Sequence, residues 1–510
     1  MSSVSAQGWR PLKAVLGGLV DVPESLEVSD LTQDSRSVTP GAAFFACHGD
    51  THHGVEFAPA AAAAGARAIL WEPGAGIQAP SVDASIVVRA VPNLRAQLGF
   101  IADRFFDAPS ASLTVAGITG TNGKTTCAWL LAQALEYSGR RAAYVGTLGG
   151  GGIHDLTDFG TTTPDAVTLH RLLARLRARG FAAVAMEVSS HGIDQDRCAG
   201  VRFHTAVFTN LTRDHLDYHA DMAAYGAAKA RLFAWPTLKA RVINVDDPFG
   251  LELAQTSHRG ADAAQLVLTS QRPSEWLASG TDYVCARAVV ARDTGLELAI
   301  ESSRGTARLT SRLLGDFNID NLLTVLAVLL AWDLPLSDAC AALSRCSAPP
   351  GRMQPEGGGK QPLVLIDYSH TPDALAKALH AARAYCRGRL HCVFGCGGDR
   401  DPGKRGEMGG IAARGADLLV VTDDNPRSED PAVITDAILR GVAQADGLGR
   451  VRVIHDRALA IRSALTAAAP DDVVLVAGKG HEEYQIVGAE RRVFSDTDVV
   501  RAALRQWGGA

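Results

Sequence analysis

The apolar positions of the chain fall into short, nearly continuous runs that alternate with stretches of helical periodicity from residue 113 onward. Strands that are buried on both faces give such runs, and the helices between them connect parallel neighbours. The runs that predict strands in the middle of the chain are residues 113–118, 142–145, 182–188, 206–208 and 242–245. Helices are expected over residues 124–138, 169–179 and 319–332, and β-structure over residues 266–314. The pattern therefore predicts an α/β fold with a mostly parallel central sheet.

The same alternation restarts after Ala348-Pro349-Pro350-Gly351, where the prolines interrupt the periodicity. Strands are expected at residues 363–366, 390–394, 418–421, 451–454 and 473–476, and helices at residues 373–385 and 432–442. This arrangement predicts a C-terminal doubly wound, Rossmann-like α/β domain. Asp107-Ala108-Pro109-Ser110 is a second break, and the residues before it mix short strands with an alanine-rich helix at residues 58–68. We therefore expect three domains, at residues 1–109, 110–349 and 350–510.

Composition and charge narrow the class of protein. With 47% hydrophobic and 21% charged residues the chain can bury large cores. Its net charge of −5 argues against a nucleic-acid partner. The first ten residues lack the basic and apolar segments of a secretory signal, and the apolar run at residues 322–332 is too short to cross a bilayer. The nine cysteines are scattered, as is typical of reduced thiols, so a cytoplasmic protein without membrane insertion is expected.

The first chemical motif is a glycine-rich loop between a predicted strand and a predicted helix. The loop is Gly117-Ile118-Thr119-Gly120-Thr121-Asn122-Gly123-Lys124-Thr125-Thr126. Backbone N–H groups at a helix N-terminus bind phosphate, a lysine there neutralises phosphoryl charge, and the Thr125 hydroxyl can reach Mg²⁺. Ile118 stands where the strict Walker A pattern has glycine. A glycine-rich turn with a surface lysine is the alternative, but the order strand, loop, helix favours a nucleotide site.

Two further polar clusters follow predicted strands. They are Met186-Glu187-Val188-Ser189-Ser190-His191-Gly192 and Asp214-His215-Leu216-Asp217-Tyr218-His219. Ligands of open α/β sheets bind at the carboxyl ends of the strands, so Glu187 and His215 are expected to meet near the phosphates and hold a cation. Each side chain taken alone could equally cap a turn or face solvent. Three clusters at equivalent strand ends favour a functional site.

These motifs resemble those of the Mur ligases of peptidoglycan assembly, and the similarity extends from Asp34-Ser35-Arg36 to Gly478-Lys479-Gly480-His481-Glu482. The resemblance implies an N-terminal domain that binds a UDP-linked substrate, a central P-loop ATPase domain and a C-terminal domain that binds an amino acid. It also implies that ATP, with Mg²⁺, phosphorylates a substrate carboxylate and that an amine attacks the acyl phosphate to form an amide. A monomer is expected for this family.

The resemblance also implies roles for individual residues. Lys124 and Mg²⁺ would spread the charge on the transferring phosphoryl group. Thr125, Glu187 and His215 would hold Mg²⁺, and Lys229 would be carbamylated and help to hold a second ion. Without the family, Lys229 would be interpreted as an ordinary lysine on a helix surface. The residues expected to contact ATP are Gly120, Thr121, Asn122, Gly123, Lys124, Thr125, Thr126, Asn318, Asn321, Arg352 and Asp367.

The UDP-linked substrate is expected to touch a second set of residues. This set is Ser35, Thr161, Thr162, Thr163, Ser189, Gln195 and Arg197. Arg197 offers the planar fork that suits phosphate or carboxylate. Thr161 stands where related sequences can carry asparagine, and Asp50-Thr51-His52 differs from the residues that usually contact uracil in the family.

The choice of amino acid depends on the C-terminal domain. Asp424-Asn425-Pro426-Arg427 matches the motif of the members that add meso-2,6-diaminopimelate to UDP-N-acetylmuramoyl-L-alanyl-D-glutamate, whereas lysine-adding members lack the arginine. Arg427 can pair with the second carboxylate of diaminopimelate through two hydrogen bonds. By resemblance, Arg400 lies beside it, and the Gly478 carbonyl and the Glu482 carboxylate take the distal ammonium. The expected contacts are Arg400, Asp424, Asn425, Pro426, Arg427, Gly478 and Glu482.

Besides a lysine-adding Mur ligase, two other interpretations remain open at the level of sequence. A folylpolyglutamate synthetase shares the loop and the overall plan, but it would need neither about a hundred residues before the loop nor Asp424-Asn425-Pro426-Arg427. A regulatory P-loop protein would bind nucleotide without ligating anything. The joint presence of Glu187, His215 and Lys229 with an amino-acid pocket argues against it.

Overall fold

A computed structural model of the chain describes residues 8–49, 52–258, 264–272, 280–292 and 295–508. Asp50 and Thr51, of the predicted uracil-contact segment, lie outside the described residues. The chain forms two compact units. The first extends to Cys285 and also contains Ser302–Arg304 and Thr324–Ala342, while the second contains Ala286–Glu301, Gly305–Leu323 and Leu343–Ala510.

The N-terminal part of the first unit contains a small parallel sheet of order β3-β4-β5-β6. Its elements are β1 (Arg10–Pro11), α1 (Leu12–Leu16), β2 (Glu27–Val28), β3 (Leu31–Thr32), β4 (Ala43–Ala46), α2 (Ala58–Ala63), β5 (Ala68–Trp71), β6 (Val87–Ala90) and α3 (Leu94–Phe105). The helix predicted at residues 58–68 was too long. It ends at Ala63 because Ala68 already pairs with Ala43 as the first residue of β5. Alanine content alone does not distinguish the helix from the buried strand that follows it.

The rest of the first unit contains most of a larger sheet, whose strands there follow the order β10-β9-β8-β11-β7-β12-β13-β14-β15. Its elements are β7 (Thr114–Thr119), α4 (Lys124–Tyr137), β8 (Ala142–Gly146), β9 (Gly149–Gly152), β10 (Asp155–Thr157), α5 (Ala166–Ala178), β11 (Ala183–Glu187), α6 (Ser190–Asp194), β12 (Phe203–Phe208), α7 (Leu216–His219), α8 (Met222–Ala230), β13 (Ala240–Asn244), α9 (Pro248–His258), β14 (Gln265–Ser270) and β15 (Asp282–Arg292). Strands β8, β11, β7, β12, β13, β14 and β15 are parallel. The prediction of a mostly parallel sheet is confirmed.

Register places the functional strand ends side by side. Glu187, the last residue of β11, is opposite Ile118 of β7, and Phe208, the last residue of β12, is opposite Thr119. The loop after β7, the segment after β11 and the segment after β12 therefore leave the sheet at one edge. The sheet interior at these strands is apolar, with Val115, Met186 and Phe208 fully buried.

The remaining elements include the strands of a second, doubly wound sheet, whose order is β18-β19-β23-β20-β21-β22. They are β16 (Gly295–Ser302), β17 (Gly305–Ser311), α10 (Phe317–Ala331), α11 (Leu336–Arg345), β18 (Gln354–Gly357), β19 (Leu363–Asp367), α12 (Pro372–Ala384), β20 (Leu390–Phe394), α13 (Gly403–Gly415), β21 (Leu418–Val421), α14 (Pro431–Gln444), β22 (Val451–Val453), α15 (Arg457–Ala467), β23 (Val473–Ala477), β24 (Tyr484–Val487), β25 (Glu490–Val493) and α16 (Asp496–Gln506). Except for the antiparallel β18, neighbouring strands run parallel. Helices α12, α13 and α14 cover one face and α15 and α16 the other, which confirms the predicted doubly wound architecture.

Helix α13 has no strong helical signal in the sequence because it is rich in glycine. Its glycines serve close packing against α14. A Cβ on Gly409 would collide with the backbone of Ile438, and a Cβ on Gly441 would collide with the backbone of Gly406. Tertiary packing thus compensates for the roughly 1 kcal/mol that each glycine costs in a helix. Among the residues that the structure describes, no helix is long and apolar enough to span a membrane.

Candidate active site

The glycine-rich loop joins β7 to α4 and is tied to the segment that follows β12. The Thr121 amide donates to the Asn210 carbonyl at 2.8 Å, and the Asn122 amide donates to Asn210 Oδ1 at 2.9 Å. Gly120 has a φ of +150°, and a Cβ there would collide with Thr209 Oγ1. Only glycine allows this close approach. The backbone at the start of α4 is therefore held in the form that binds anions.

Lys124 is the first residue of α4, and its side chain lies back over the loop. Its Nζ donates to the carbonyls of Gly120 and Thr121, both at 2.8 Å. These bonds hold the ammonium at the mouth of the loop, where a phosphate would need a counter-charge. Thr126, which follows Thr125 in the first turn, is buried within α4.

Glu187 is a buried carboxylate, 1% exposed, at the end of β11. Thr125 Oγ1 donates to its Oε2 at 3.0 Å, and Thr147 donates to Oε1 through its backbone amide at 3.0 Å and to Oε2 through its hydroxyl at 3.3 Å. The Tyr144 hydroxyl also donates to Oε1. Several donors thus compensate the cost of burying the charge and fix the orientation of the carboxylate.

His215 precedes α7 and has a φ of +54°. Its side chain is 46% exposed, and its Nε2 lies 3.5 Å from Asp214 Oδ2. The imidazole ring is centred 4.9 Å from that of His191 and 6.0 Å from the Tyr225 ring. The histidine therefore stands in an aromatic cluster beside the loop.

The donor set fits Mg²⁺ better than a transition metal. Thr125 Oγ1, at the start of α4, and Glu187 Oε2, at the end of β11, are hard oxygens 3.0 Å apart. Within the described part of the chain there is no cluster of three or more His, Cys, Asp or Glu side chains that could hold an ion by themselves. Mg²⁺ usually takes one or two protein oxygens and completes its coordination shell with phosphate and water. Thr125 and Glu187 supply protein oxygens of that kind and number.

Lys229 lies on α8 and is 1% exposed. Its Nζ donates to the Gly120 carbonyl at 3.0 Å and lies 4.2 Å from the centroid of the Tyr225 ring. Burial lowers the pKa of Lys229 well below its usual value, and the positive charge of Lys124 lowers it further. The interpretation of a surface lysine is therefore wrong. The neutral amine that these surroundings favour is the form that can react with CO₂.

Except for Ser35, the residues expected to bind the UDP-linked substrate form a chain of contacts around Thr163. Its hydroxyl lies 3.1 Å from Ser189 Oγ, and its carbonyl accepts from Arg197 Nη1 at 2.9 Å. Arg197 also donates from Nε to Gln195 Oε1 at 3.0 Å. Thr162 joins the same network, since its hydroxyl lies 3.0 Å from that of Thr147. The network extends from the Glu187 carboxylate toward the N-terminal sheet.

A cavity of about 510 Å³ adjoins this network. Thr161, Gln195 and Arg197 line it together with residues of the N-terminal sheet region that include His48 and Arg95. Its size suits part of a nucleotide-linked sugar. Ser35 lies in the short 3₁₀ turn Ser35–Ser37 and is not among the residues that line this cavity.

In the second unit, the four residues expected to contact ATP occur in two pairs. Asn321 Nδ2 donates to Asn318 Oδ1 at 2.8 Å, which joins the first pair on α10. Asp367, the last residue of β19, accepts from the Met353 amide at 2.8 Å and from the Ser369 hydroxyl. Burial raises the pKa of Asp367, and the nearby positive charge of Arg352 opposes that shift.

The residues expected to bind diaminopimelate meet at the carboxyl ends of the second sheet. Arg427 has a φ of +51°, and its Nη1 donates to the Gly398 carbonyl at 2.7 Å. A Cβ on Gly397 would lie 3.0 Å from Arg427 Nη1 and 3.8 Å from Arg400 Cγ, so the two arginines flank Gly397. The backbone of Arg427 is bonded to the β24–β25 hairpin through the Ile486 carbonyl and the Gly488 amide. Pro426 precedes it in the same turn.

Glu482, Asn425, Asp424 and Gly478 form the other side of this pocket. Asn425 Nδ2 donates to Glu482 Oε2 at 2.9 Å. Asp424 is buried, and a Cβ on Gly478 would lie 2.6 Å from its Oδ2. The carboxylates and the two arginines thus present both signs of charge, which matches the zwitterionic end of an amino acid.

Sequence reasoning missed three residues that hold the site together. Tyr144 and Thr147 fix Glu187, and Lys479 contacts Glu482. Tyr144 has a hydroxyl within an otherwise apolar strand, and Lys479 lies two residues after the carboxyl end of a buried strand. Those two features were available in the sequence as signals, but which carboxylate each residue would reach depends on strand order.

Comparison with known proteins agrees with this geometry. Residues 27–105 match the Mur ligase family catalytic domain, residues 118–329 the Mur ligase middle domain and residues 351–480 the Mur ligase glutamate ligase domain. The UDP-N-acetylmuramoyl-L-alanyl-D-glutamate–2,6-diaminopimelate ligase of Chromobacterium violaceum is 48% identical over 492 residues, which cover 95% of each chain. The protein of the same name from Pseudomonas aeruginosa is 46% identical over 94% of this chain and 96% of its own.

Solved structures show the same fold. A structure of UDP-N-acetylmuramoyl-L-alanyl-D-glutamate–2,6-diaminopimelate ligase matches with a TM-score of 0.70 and 32% identity, covering 98% of this chain and 99% of its own. The Mycobacterium tuberculosis folylpolyglutamate synthase complexed with ADP and AMPPCP matches with a TM-score of 0.60 at 20% identity, covering 81% of this chain and 94% of its own.

Proposed function

The chain belongs to the Mur ligase family, and from this premise we propose that it is an ATP-dependent ligase that adds meso-2,6-diaminopimelate to UDP-N-acetylmuramoyl-L-alanyl-D-glutamate. The observation that carries the proposal is the 48% identity, over 95% of both chains, with a relative named for this activity. Arg427 within Asp424-Asn425-Pro426-Arg427 supports the choice of amine, because diaminopimelate has a second carboxylate and lysine does not.

The reaction proceeds in two steps. In the first, the γ-carboxylate of the substrate D-glutamate attacks the γ-phosphorus of ATP, ADP leaves and an acyl phosphate forms. In the second, the amine of diaminopimelate attacks the acyl carbon and loses a proton, and the tetrahedral intermediate collapses to an amide and phosphate. ATP thereby converts a carboxylate, which is a poor acyl donor, into one with a good leaving group.

The residues around the loop have distinct parts in the first step. The amides at the start of α4 and the Lys124 ammonium bind phosphate oxygens and offset the charge that develops on the phosphoryl group. Thr125, Glu187 and His215 would hold Mg²⁺, which supplies further charge neutralisation when bound. In the second unit, Asn318, Asn321, Arg352 and Asp367 would contact the nucleotide.

The remaining residues determine which substrates react. Arg197, with Gln195 and Ser189, would orient the UDP-linked substrate, and Ser35, Thr161, Thr162 and Thr163 would complete its contacts. Arg427 and Arg400 would pair with the distal carboxylate of diaminopimelate. Glu482 and the Gly478 carbonyl would take the distal ammonium. A monomer in the cytoplasm remains the expectation for this protein.

The product formed with each candidate amine tests this function. We expect the chain to release phosphate only when ATP, UDP-N-acetylmuramoyl-L-alanyl-D-glutamate and diaminopimelate are all present, and mass spectrometry should find the dipeptide precursor extended by one diaminopimelate. A folate substrate with glutamate serves as the control for the synthetase alternative. Equal product yields with lysine would contradict the proposed amine, and ATP turnover that ignores both substrates would contradict the ligase itself.

Lys229 gives a separate, pH-dependent prediction for the protein in CO₂-free buffer. Its pKa is lowered in the native state but is near 10.5 when unfolded. Unfolding therefore takes up a proton in the window between the two values, and native stability falls as the pH drops through that window by about 1.4 kcal/mol per pH unit. Replacing Lys229 with methionine should remove this contribution, as measured by urea unfolding at several alkaline pH values.

The exposed Lys360 provides the matched control, and Lys360→Met should keep the slope of the unmodified protein. Identical slopes for the unmodified protein and Lys229→Met would mean that Lys229 is not buried as a neutral amine. Adding bicarbonate extends the test to carbamylation. Native mass spectrometry should then find the mass of one CO₂ on the unmodified protein and none on Lys229→Met.

A further inference from the structure

Lys479 follows β23 and is a fully buried lysine, with 0% of its side chain exposed. Its Nζ donates to Asn425 Oδ1 and to Glu482 Oε2, both at 3.0 Å, and lies 3.9 Å from Asp424 Oδ1. Burying an ammonium is costly unless it is paired and hydrogen-bonded. All three partners belong to the expected amino-acid pocket, and the ammonium also lies 5.6 Å from the centroid of the Tyr484 ring, so residues of that pocket supply its hydrogen-bond acceptors and its counter-charges.

The contacts of Lys479 determine how Asn425 is oriented. Asn425 Oδ1 also accepts from the Ile486 amide at 2.9 Å, so its oxygen receives two donors. A flipped amide would place N–H groups against Lys479 and Ile486, which both donate. Asn425 Nδ2 is therefore directed toward Glu482 Oε2, where it donates at 2.9 Å.

Glu482 is fixed by the same arrangement. Its Oε2 accepts from Lys479 and from Asn425, whereas Oε1 accepts no hydrogen bond from any residue that the structure describes. The side chain is 16% exposed, so Oε1 is available to a ligand in the pocket. Lys479 thus holds one carboxylate oxygen and leaves the other for the substrate.

Lys479 also sets the charge of this side of the pocket. Asp424 and Glu482 carry one negative charge each, and Lys479 neutralises one of them. Arg457, whose Nη2 would lie 3.9 Å from a Cβ on Gly478, is paired with Asp496 through bonds of 2.7 and 2.8 Å, and that pair is neutral by itself. One net negative charge remains, which matches a single ammonium.

We infer that Lys479 is a positioning and specificity-determining residue for the amino-acid substrate. It orients Asn425 and Glu482 toward the distal ammonium, and it leaves one net negative charge on the side of the pocket that Asp424 and Glu482 form. The inference rests on the proposed function, since it takes the pocket to be the site of diaminopimelate. Without Lys479 the carboxylates would repel each other and would favour a more cationic amine, so discrimination against lysine would weaken.

Steady-state kinetics of Lys479→Met test the inference. Loss of a hydrogen-bonded charge is expected to raise the KM for diaminopimelate about tenfold or more. The KM values for ATP and for UDP-N-acetylmuramoyl-L-alanyl-D-glutamate should stay unchanged, and the ratio of kcat/KM for diaminopimelate to that for lysine should fall. Lys377→Met, on the exposed face of α12, is the matched control and should change none of these values. A KM for diaminopimelate equal to that of the unmodified protein, or a parallel rise in all three KM values, would overturn the inference.

A double variant keeps the test valid if Lys479→Met fails to fold. In Glu482→Gln the carboxylate charge is already absent. Adding Lys479→Met to this variant should therefore raise the KM for diaminopimelate much less than Lys479→Met does alone. If the single variant Lys479→Met is unfolded, the double variant should have a KM near that of Glu482→Gln. A further tenfold rise would overturn the inference. Failure of the proposed function is distinguishable, because the unmodified chain would then form no diaminopimelate product.

Discussion

Replacing Arg427 with alanine is expected to raise the KM for diaminopimelate about a hundredfold or more and to leave the KM for ATP unchanged. Truncating one partner of a desolvated ion pair costs about 2–5 kcal/mol, because the other charge is left without a partner. Here that other charge would be the distal carboxylate of the substrate. Arg400, on the other side of Gly397, would compensate only in part.

The alanine variant should fold like the unmodified protein. Arg427 already has a φ of +51°, and alanine, which also has a Cβ, carries the same backbone cost at that position. Within the described part of the chain, the side chain gives up its hydrogen bond from Nη1 to the Gly398 carbonyl and its attraction to Asp399, while the backbone bonds to the β24–β25 hairpin do not depend on the side chain. The effect should therefore be confined to the pocket.

Initial rates at varied diaminopimelate and at varied ATP measure the two KM values. Arg427→Lys keeps the charge but not the planar fork, so it should fall between arginine and alanine. Arg462→Ala, on the exposed side of α15, is the matched control. An unchanged KM for diaminopimelate in Arg427→Ala would show that this arginine does not contact the amino acid, and it would reopen the question of lysine as the substrate.

Replacing Glu187 with glutamine is expected to lower kcat about a hundredfold to a thousandfold with little loss of stability. The donors around Glu187 can accommodate an amide. Its oxygen can take the place of Oε1 and accept from the Thr147 amide, while its NH₂ group faces the hydroxyls of Thr125 and Thr147, which can turn to accept. The substitution thus removes the negative charge and preserves the packing.

The loss of rate follows because this carboxylate would hold the Mg²⁺ that neutralises charge on the transferring phosphoryl group. Groups that stabilise transition-state charge in a water-excluded site are worth a factor of about 10² to 10³ in kcat. Single-turnover phosphate release measures the rate of the chemical step. The dependence of that rate on Mg²⁺ concentration shows whether cation binding has weakened, and thermal unfolding shows whether the fold is kept. Glu136→Gln, on α4 away from the loop, is the control. A rate within about threefold of the unmodified protein would remove Glu187 from the phosphoryl-transfer centre.

Local sequence predicted the elements of both sheets where apolar runs were long. Residues 390–394 and 418–421 were predicted to the residue and are β20 and β21. Polar or glycine-rich elements were harder to predict. Strand β12 begins at Phe203, whereas the sequence predicted a strand only from residue 206. The prediction began too late because the polar residues His204 and Thr205 interrupt the apolar pattern. Thr205 is nevertheless buried, and its hydroxyl accepts a hydrogen bond from the Trp332 indole. Strand β9 consists of four glycines and has no side-chain pattern at all.

In the candidate site, too, features that lie within one continuous segment could be predicted, and contacts between distant segments could not. The loop at Gly120–Lys124 is a continuous segment whose chemistry can be recognised from neighbours in sequence. Glu187 could be placed at the carboxyl end of a strand, but its contacts with Tyr144 and Thr147 depend on β8 lying beside β11 in the sheet. Two residues separated by some forty positions cannot be paired from periodicity, because pairing is a property of strand order.

What the sequence by itself determined is the class of chemistry. Three local patterns carry this information: the glycine-rich loop with its lysine, the acidic residues at strand ends, and the motif Asp424-Asn425-Pro426-Arg427 in the C-terminal domain. Each can be interpreted from residues that are neighbours in sequence. Only the tertiary structure decided which side chains act on which. It turned Lys229 from an apparent surface lysine into a buried amine beside Gly120, and it placed Lys479 between Asn425 and Glu482. The physical reason is that burial and charge pairing arise from segments distant in sequence, and these determine the protonation, orientation and partner of each group.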